Sequence, residues 1–264
     1  MFEDLIQYWK GVDLNGPCFI HPCDKEYLLN KNRLPGLYVE GLFPQPYCGN
    51  LSNPKIVFLY LNPGYHNCDS TIELKIRNEL QATIKQNFMF NDYPFFWLNP
   101  KYNKDNINCT QQNAVNPGAY YWNRLFNQKT GTSFLKHLVN NTLFANEEEA
   151  RIWLSKNICN IELFPYHSEK YSDKWVNSSS SDIARNAVFS AIRNNKHTLF
   201  VFMRSIKKWI NGSNKRENTK NINRYDGNRG NIIINKAVQN PSLNPKLGKD
   251  CLGEILFNYI KTIL

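Results

Sequence analysis

Residues 55–61 read Lys-Ile-Val-Phe-Leu-Tyr-Leu, and Asn62-Pro63-Gly64 follows at once. The run is continuously apolar, rich in β-branched and aromatic side chains, and too short for a helix. It reads as a strand buried on both faces, the usual state of a strand in a parallel sheet. Pro63-Gly64 stops it with turn chemistry. Three further runs share its character: Ile158–Phe164 (ICNIELF), stopped by Pro165; Thr198–Met203 (TLFVFM); and Asn231–Val238 (NIIINKAV). Helical patterns lie between and after them. Asp69 or Ser70 is placed to cap a helix carrying Ile72, Ile76, Leu80 and Ile84. Asn146 opens another, with Glu149 as its capping-box partner. A Ser-rich segment caps a helix through Ile183, Ala187, Val188, Ala191 and Ile192, and an amphipathic helix closes the chain.

Four buried strands separated by helices predict an α/β fold. The expectation is a single domain over 1–264, a central four-stranded parallel sheet flanked by helices. Residues 1–50 read as an N-terminal extension and 211–230 as a basic loop insertion.

The chain has 264 residues, is 42% hydrophobic, and carries a net charge of +10. That length supports one large core, and that hydrophobic content excludes a disordered chain. The charge points to a polyanionic partner, because each neutralised phosphate releases counterions. No apolar run spans a bilayer and the first residues, MFEDLIQYWKG, lack a signal pattern, so the expectation is a cytoplasmic protein with no membrane partner. Seven scattered cysteines suit reduced thiols. Cys18 and Cys23 are the only close pair, and no second pair completes a metal site, so no metal or cofactor is expected.

In open parallel sheets the ligand crevice lies beyond the carboxyl ends of the strands. The polar and aromatic residues of interest fall there: Asn62, Tyr65 and His66 after the first strand; Asn160, Glu162, His167 and Ser168 within and after the second; Arg204 after the third; Asn240, Ser242 and Leu243 after the fourth.

The first and last of these clusters carry a resemblance. Tyr60-Leu61-Asn62-Pro63-Gly64 resembles the first motif of the mismatch-specific and single-strand-selective branches of the uracil-DNA glycosylase superfamily, and Tyr65-His66 resembles the Tyr-His of its main uracil branch, shifted by one residue. Asn240-Pro241-Ser242-Leu243 resembles the superfamily's last motif, and Ile158-Cys159-Asn160-Ile161 the strand whose Asn reads the base edge. Tyr60 stands where those branches have Gly, Asn62 where the main uracil branch has Asp, and the cluster-binding cysteines of some branches are absent, so no iron–sulfur centre is implied.

The resemblance implies hydrolysis of an N-glycosidic bond in double-stranded DNA, leaving an abasic site. Asn62 would orient water at the anomeric carbon, or it merely closes an Asx-turn. His66 would stabilise the departing base, as would His167 from the base-binding side; either is equally a structural histidine. Tyr65 would wall or stack on the base, or pack in the turn. Asn160 would pair with the base edge, or be satisfied within its strand. Glu162, two residues on and on the same strand face, would accept from a cytosine amine, or pair with a basic side chain. Arg204 would contact a DNA phosphate, or equally an internal carboxylate; Asn240 and Ser242 would hold the DNA backbone, and Leu243 would wedge into the gap of a flipped nucleotide, or face the core. Lys215 and Arg216, within a basic stretch interleaved with Trp209 and Tyr225, would bind phosphate, or stand in solvent.

The pattern is also similar to anti-phage members of the superfamily that excise glucosylated hydroxymethylcytosine from viral DNA. A hypermodified cytosine in phage DNA is therefore the first expected substrate. Uracil or a mismatched base is the second. Two other classes stay open: a hydrolase of free nucleosides, and a nucleic-acid-binding module without catalysis.

Overall fold

The computed structural model describes residues 1–30, 36–66, 69, 74, 76–86, 92–102, 117–126, 133–211, 215–219, 231–235, 243 and 251–264. The strands are β1 (Tyr47–Gly49), β2 (Ile56–Tyr60), β3 (Ile158–Glu162), β4 (Leu199–Phe202) and β5 (Ile232–Ile234). Each of the four apolar runs forms a strand, and these pair parallel in the order β3-β2-β4-β5. The sheet is nevertheless five-stranded and mixed, not four-stranded and parallel. Strand β1 adds antiparallel to the outer edge of β3, with Cys48 opposite Asn160 and Gly49 opposite Cys159. A three-residue strand containing glycine carries no readable period, which is why it was absent from the sequence expectation.

The helices are α1 (Glu3–Lys10), α2 (Pro22–Asn30), α3 (Arg77–Lys85), α4 (Pro117–Phe126), α5 (Phe134–Asn140), α6 (Glu147–Asn157), α7 (Ser179–Asn194), α8 (Ile206–Ile210) and α9 (Leu252–Ile263). Their caps follow local chemistry. Asn146 accepts from the Glu149 N–H at 2.9 Å, and the Glu149 carboxylate reaches back to the Ala145 N–H at 3.2 Å. Ser178 caps α7 by accepting from the Ser181 N–H at 3.2 Å. The cap expected at Asp69 or Ser70 lies largely outside the described residues; Asp69 accepts from the His66 N–H at 2.6 Å and closes the turn after β2, and α3 starts at Arg77 with no side-chain cap from Ile76.

The first fifty residues do not hang from the domain. Phe2, Leu5, Trp9, Phe19, Leu28 and Phe43 are buried in the same cluster as the sheet. A polar tie reinforces this. Asp24, fully buried, accepts from the Tyr166 hydroxyl at 2.7 Å and from the Ser180 N–H at 2.9 Å. The N-terminal segment, the loop after β3 and the start of α7 are thereby locked together. No described helix is long and apolar enough to cross a membrane.

Strand order places a topological switch between β2 and β4, since the chain leaves β2 toward β3 on one side and β4 toward β5 on the other. The edge strand β1 depends on one glycine. Gly49 has φ +97°, and a Cβ there would stand 2.4 Å from the Ile158 carbonyl oxygen and 2.9 Å from the Phe95 ring. Gly49→Ala should cost roughly 2–3 kcal/mol, from left-handed strain and the backbone clash together. A urea midpoint equal to the parent's would show that β1 tolerates the displacement.

Candidate active site

A cavity of about 560 Å³ opens beyond the carboxyl ends of β2, β3 and β4. It gathers Asn62, Tyr65, His66, Asn160, Glu162, His167 and Arg204, residues separated by up to 142 positions in the chain.

The floor is polar. Asn160 and Glu162 share one face of β3, and the parallel register sets Phe58 beside Asn160 and Tyr60 beside Glu162. Both polar residues are buried, 5% and 7% exposed. The Asn160 amide donates to Glu162 Oε1 at 3.1 Å. Asn160 Oδ1 and Glu162 Oε2 find no partner among the described residues. A buried polar atom left unpaired costs about 1–3 kcal/mol, so two on one strand mark a place prepared for a ligand's hydrogen bonds. Burial pushes the Glu162 carboxyl up to about 8, against the Asn160 hydrogen bond and the charges of Arg204 and His167. At neutral pH it is a neutral acid. An ionised Glu162 would repel a uracil carbonyl, whereas the neutral acid can donate to one.

Aromatic side chains form the walls. Tyr60 meets the Tyr121 hydroxyl at 3.0 Å and the Trp122 ring edge-on at 5.4 Å, and Phe96 and Trp97 complete that side. Tyr60, noted in the sequence only as a departure from glycine, is thus a wall of the cavity. Tyr121, Trp122, Phe96 and Trp97 come from stretches with no surface-facing signature, and no local pattern distinguished them from ordinary core.

The loops after β2 and β3 are clipped together. The Asn62 amide NH₂ donates to Ser168 Oγ and to the Pro63 carbonyl, both at 2.8 Å. Its acceptor oxygen is left for water or a ligand. Ser168, which the sequence placed near the crevice without a role, orients Asn62, and its hydroxyl donates a hydrogen bond to the Lys170 carbonyl at 3.1 Å. His167 lines the cavity, but both its ring nitrogens face backbone carbonyls. Its Nδ1 lies 2.8 Å from the Gly64 carbonyl and its Nε2 3.1 Å from the Phe43 carbonyl. The ring thereby ties the loop after β3 to the loop after β2 and to the segment at Phe43. Tyr65 lines the cavity with one face already taken: Tyr38 stacks on it at 3.4 Å, held by its hydroxyl to Glu169 at 3.0 Å. His66 is half-buried at the same opening.

Gly64 has neither a positive φ nor any atom within 4 Å of an added Cβ. Nothing in the described chain demands glycine at this point of the cavity rim. Arg204 follows β4, and its Nε is buried without a partner among the described residues. The backbone then turns through Ser205 at φ +38° into α8.

The remaining DNA-binding expectations fare differently. Leu243 is 0% exposed and packed in the core, so in this structure it is not a projecting wedge; its apolar side chain is buried with the sheet's cluster. Lys215 and Arg216 are exposed on a helical turn at 215–219 and do not line the cavity. Asn240 and Ser242 lie outside the described residues. Lys170, exposed at the cavity mouth, is a cation the motifs did not point to.

No protein family, curated protein or solved structure matches the chain.

The Glu162 shift carries a stability consequence. Its folded pKa is raised, so between about pH 4.5 and 8 the folded state binds more protons than the unfolded state. Stability therefore falls as pH rises through that window. Glu162→Gln should be more stable than the parent at pH 8, by an amount on the order of a few kcal/mol, and the gain should vanish near pH 4. Thermal melts of both proteins at the two pH values test this.

Proposed function

We propose that the protein is a monofunctional DNA glycosylase that flips a hypermodified cytosine out of duplex DNA and hydrolyses its N-glycosidic bond. The observation that carries the reading is the pair of orphaned groups, Asn160 Oδ1 and Glu162 Oε2, at the bottom of an aromatic cavity that Asn62 also lines. A flipped base needs this combination: aromatic walls for its faces and a short polar row for its hydrogen-bonding edge. The resemblance of the Asn62-Pro63-Gly64 segment to the uracil-DNA glycosylase superfamily supports the same assignment.

N-glycosidic cleavage develops positive charge on the sugar and negative charge on the base. Asn62, its NH₂ anchored on Ser168, offers Oδ1 to hold water against the anomeric carbon. An amide is a weak base, so the gain comes from position and orientation. Arg204 and Lys170 supply positive charge at the cavity and its mouth, suited to the flanking phosphates, and the net charge of +10 favours the polyanion throughout. Gly64 leaves free space at the rim, where a DNA strand can approach the backbone closely.

The cavity volume favours a substituted base. About 560 Å³ is in the range of pockets that hold drug-sized ligands, more than a bare pyrimidine fills. Uracil is the second reading, because neutral Glu162 can donate to a uracil carbonyl. A protein acting on fully paired modified DNA must recover the cost of flipping, a few kcal/mol, from contacts to the modification itself. In that setting the biological role is defence against phage DNA.

Mass spectrometry of bases released from glucosylated phage DNA and from a matched uracil duplex distinguishes the readings. Release of the glucosylated cytosine is expected. Uracil release with glucosylated DNA untouched makes this a repair enzyme, and borohydride trapping of a protein–DNA adduct would contradict a monofunctional mechanism. Asn62→Ala should retain DNA binding and lose about 10²-fold or more in base release; normal turnover would reduce Asn62 to a turn residue. Gly64→Ala should keep the parent's melting temperature yet weaken turnover on duplex DNA. Unimpaired turnover would show that no strand passes there.

A further inference from the structure

Resting on the glycosylase reading, we infer that Glu162 is a general acid that protonates the ring nitrogen N3 of a cytosine-type base while Asn160 Oδ1 accepts from its exocyclic amine. The geometry orders the two groups. Glu162 Oε1 already accepts from the Asn160 amide at 3.1 Å, so the carboxyl proton resides on Oε2. The floor then presents an acceptor, Asn160 Oδ1, beside a donor, Glu162 Oε2–H. Both are buried, both line the cavity, and both are unmatched among the described residues. Cytosine presents the complement, an amine donor adjacent to an N3 acceptor. Uracil can also meet this row through its N3–H and a carbonyl, but its N3 already carries a proton and cannot take one. The pair thus separates the two bases by chemistry and not by fit.

The step balances. As the C1′–N1 bond breaks, its electron pair stays on N1 of the base. The Oε2–H proton moves to N3, so cytosine departs as a neutral tautomer and not as an anion. Water held at Asn62 adds its oxygen to C1′, and its displaced proton passes to solvent. Glu162, left as a carboxylate, is reprotonated from solvent, and the net reaction consumes one water.

The groups facing Glu162 let this proton be followed. Asn160 lies on its own strand, Tyr60 on β2, Tyr121 on α4, Arg204 after β4 and His167 in the loop after β3. Burial raises Tyr60 far above the usual phenol range and Tyr121 to about 12, so neither ionises below pH 10. The acid form of Glu162 is lost as pH rises through about 8. Release of a cytosine-type base should therefore fall tenfold per pH unit above that value.

The experiment uses the full chain and single-turnover base release from glucosylated 5-hydroxymethylcytosine duplex and matched uracil duplex, pH 6–10. Glu162→Gln keeps a donor but cannot transfer a proton. It should lower cytosine-type release about 10²-fold or more and abolish its alkaline limb, and should lower uracil release far less, since the donor to the carbonyl is kept. Should the variant not fold, the parent's pH profile for the cytosine-type base tests the inference alone. Cytosine-type release by the parent with no alkaline limb, or a folded Glu162→Gln that matches it, overturns the role of Glu162 and leaves the glycosylase reading standing. A parent that frees no base from any DNA overturns that reading, and this inference with it.

Discussion

The pairing of β2 with β3 governs what the cavity contains. Its register sets Phe58 beside Asn160 and Tyr60 beside Glu162. Side chains alternate across a strand, so a slip of one residue would turn Asn160 and Glu162 to the opposite face and bring Cys159 and Ile161 in their place. The register is held on both sides. Strand β4 pairs with β2 in step, Phe58 with Val201, and β1 closes the far edge of β3 with Cys48 against Asn160. The same register ends both strands at one level, so the loops after Tyr60 and Glu162 emerge side by side. The contacts from Asn62 to Ser168 and from His167 to Gly64 follow from that proximity.

A polar floor in an apolar layer needs support from its surroundings. Two orphaned atoms and a carboxyl held neutral work against folding by several kcal/mol together. The surrounding layer compensates: Phe58, Trp122, Phe126 and Phe95 pack mostly tilted or edge-on against one another on the sheet's face, and a fully buried aromatic side chain contributes on the order of 2–3 kcal/mol. The polar floor is thus carried by the packing of the apolar layer around it.

The strands and the crevice were legible because buried parallel strands make continuous apolar runs, and because the crevice of such sheets lies at one predictable end. Asn62, Asn160, Glu162 and Arg204 could be grouped on that ground alone. What stayed illegible depended on partners distant in sequence. Nothing around His167 indicates that both ring nitrogens meet carbonyls of residues 43 and 64. Leu243 follows a turn motif in sequence, but its environment is the core. The three residues of β1 are too few to show a period, and the N-terminal fifty read as an extension because most of their apolar residues are spread among Pro and Gly. The ionisation of Glu162 was the most consequential gap. A carboxylate and a carboxylic acid have opposite hydrogen-bonding sense at the free oxygen, and only burial decides between them.

That ionisation state ties the fold to the chemistry. A carboxyl on a surface loop would be a carboxylate, and it would accept from a cytosine amine but have no proton to transfer. Placed on an interior strand with one oxygen occupied by Asn160, the same group becomes a donor of defined direction. Arg204 and His167 temper the shift: without their positive charge burial would drive the carboxyl higher and make it a weaker acid. An acid catalyst works best with a pKa near the working pH, where it is both protonated and willing to release the proton. The position of Glu162 on β3, between a hydrogen-bonding neighbour and two cationic loops, brings a buried carboxyl into that range.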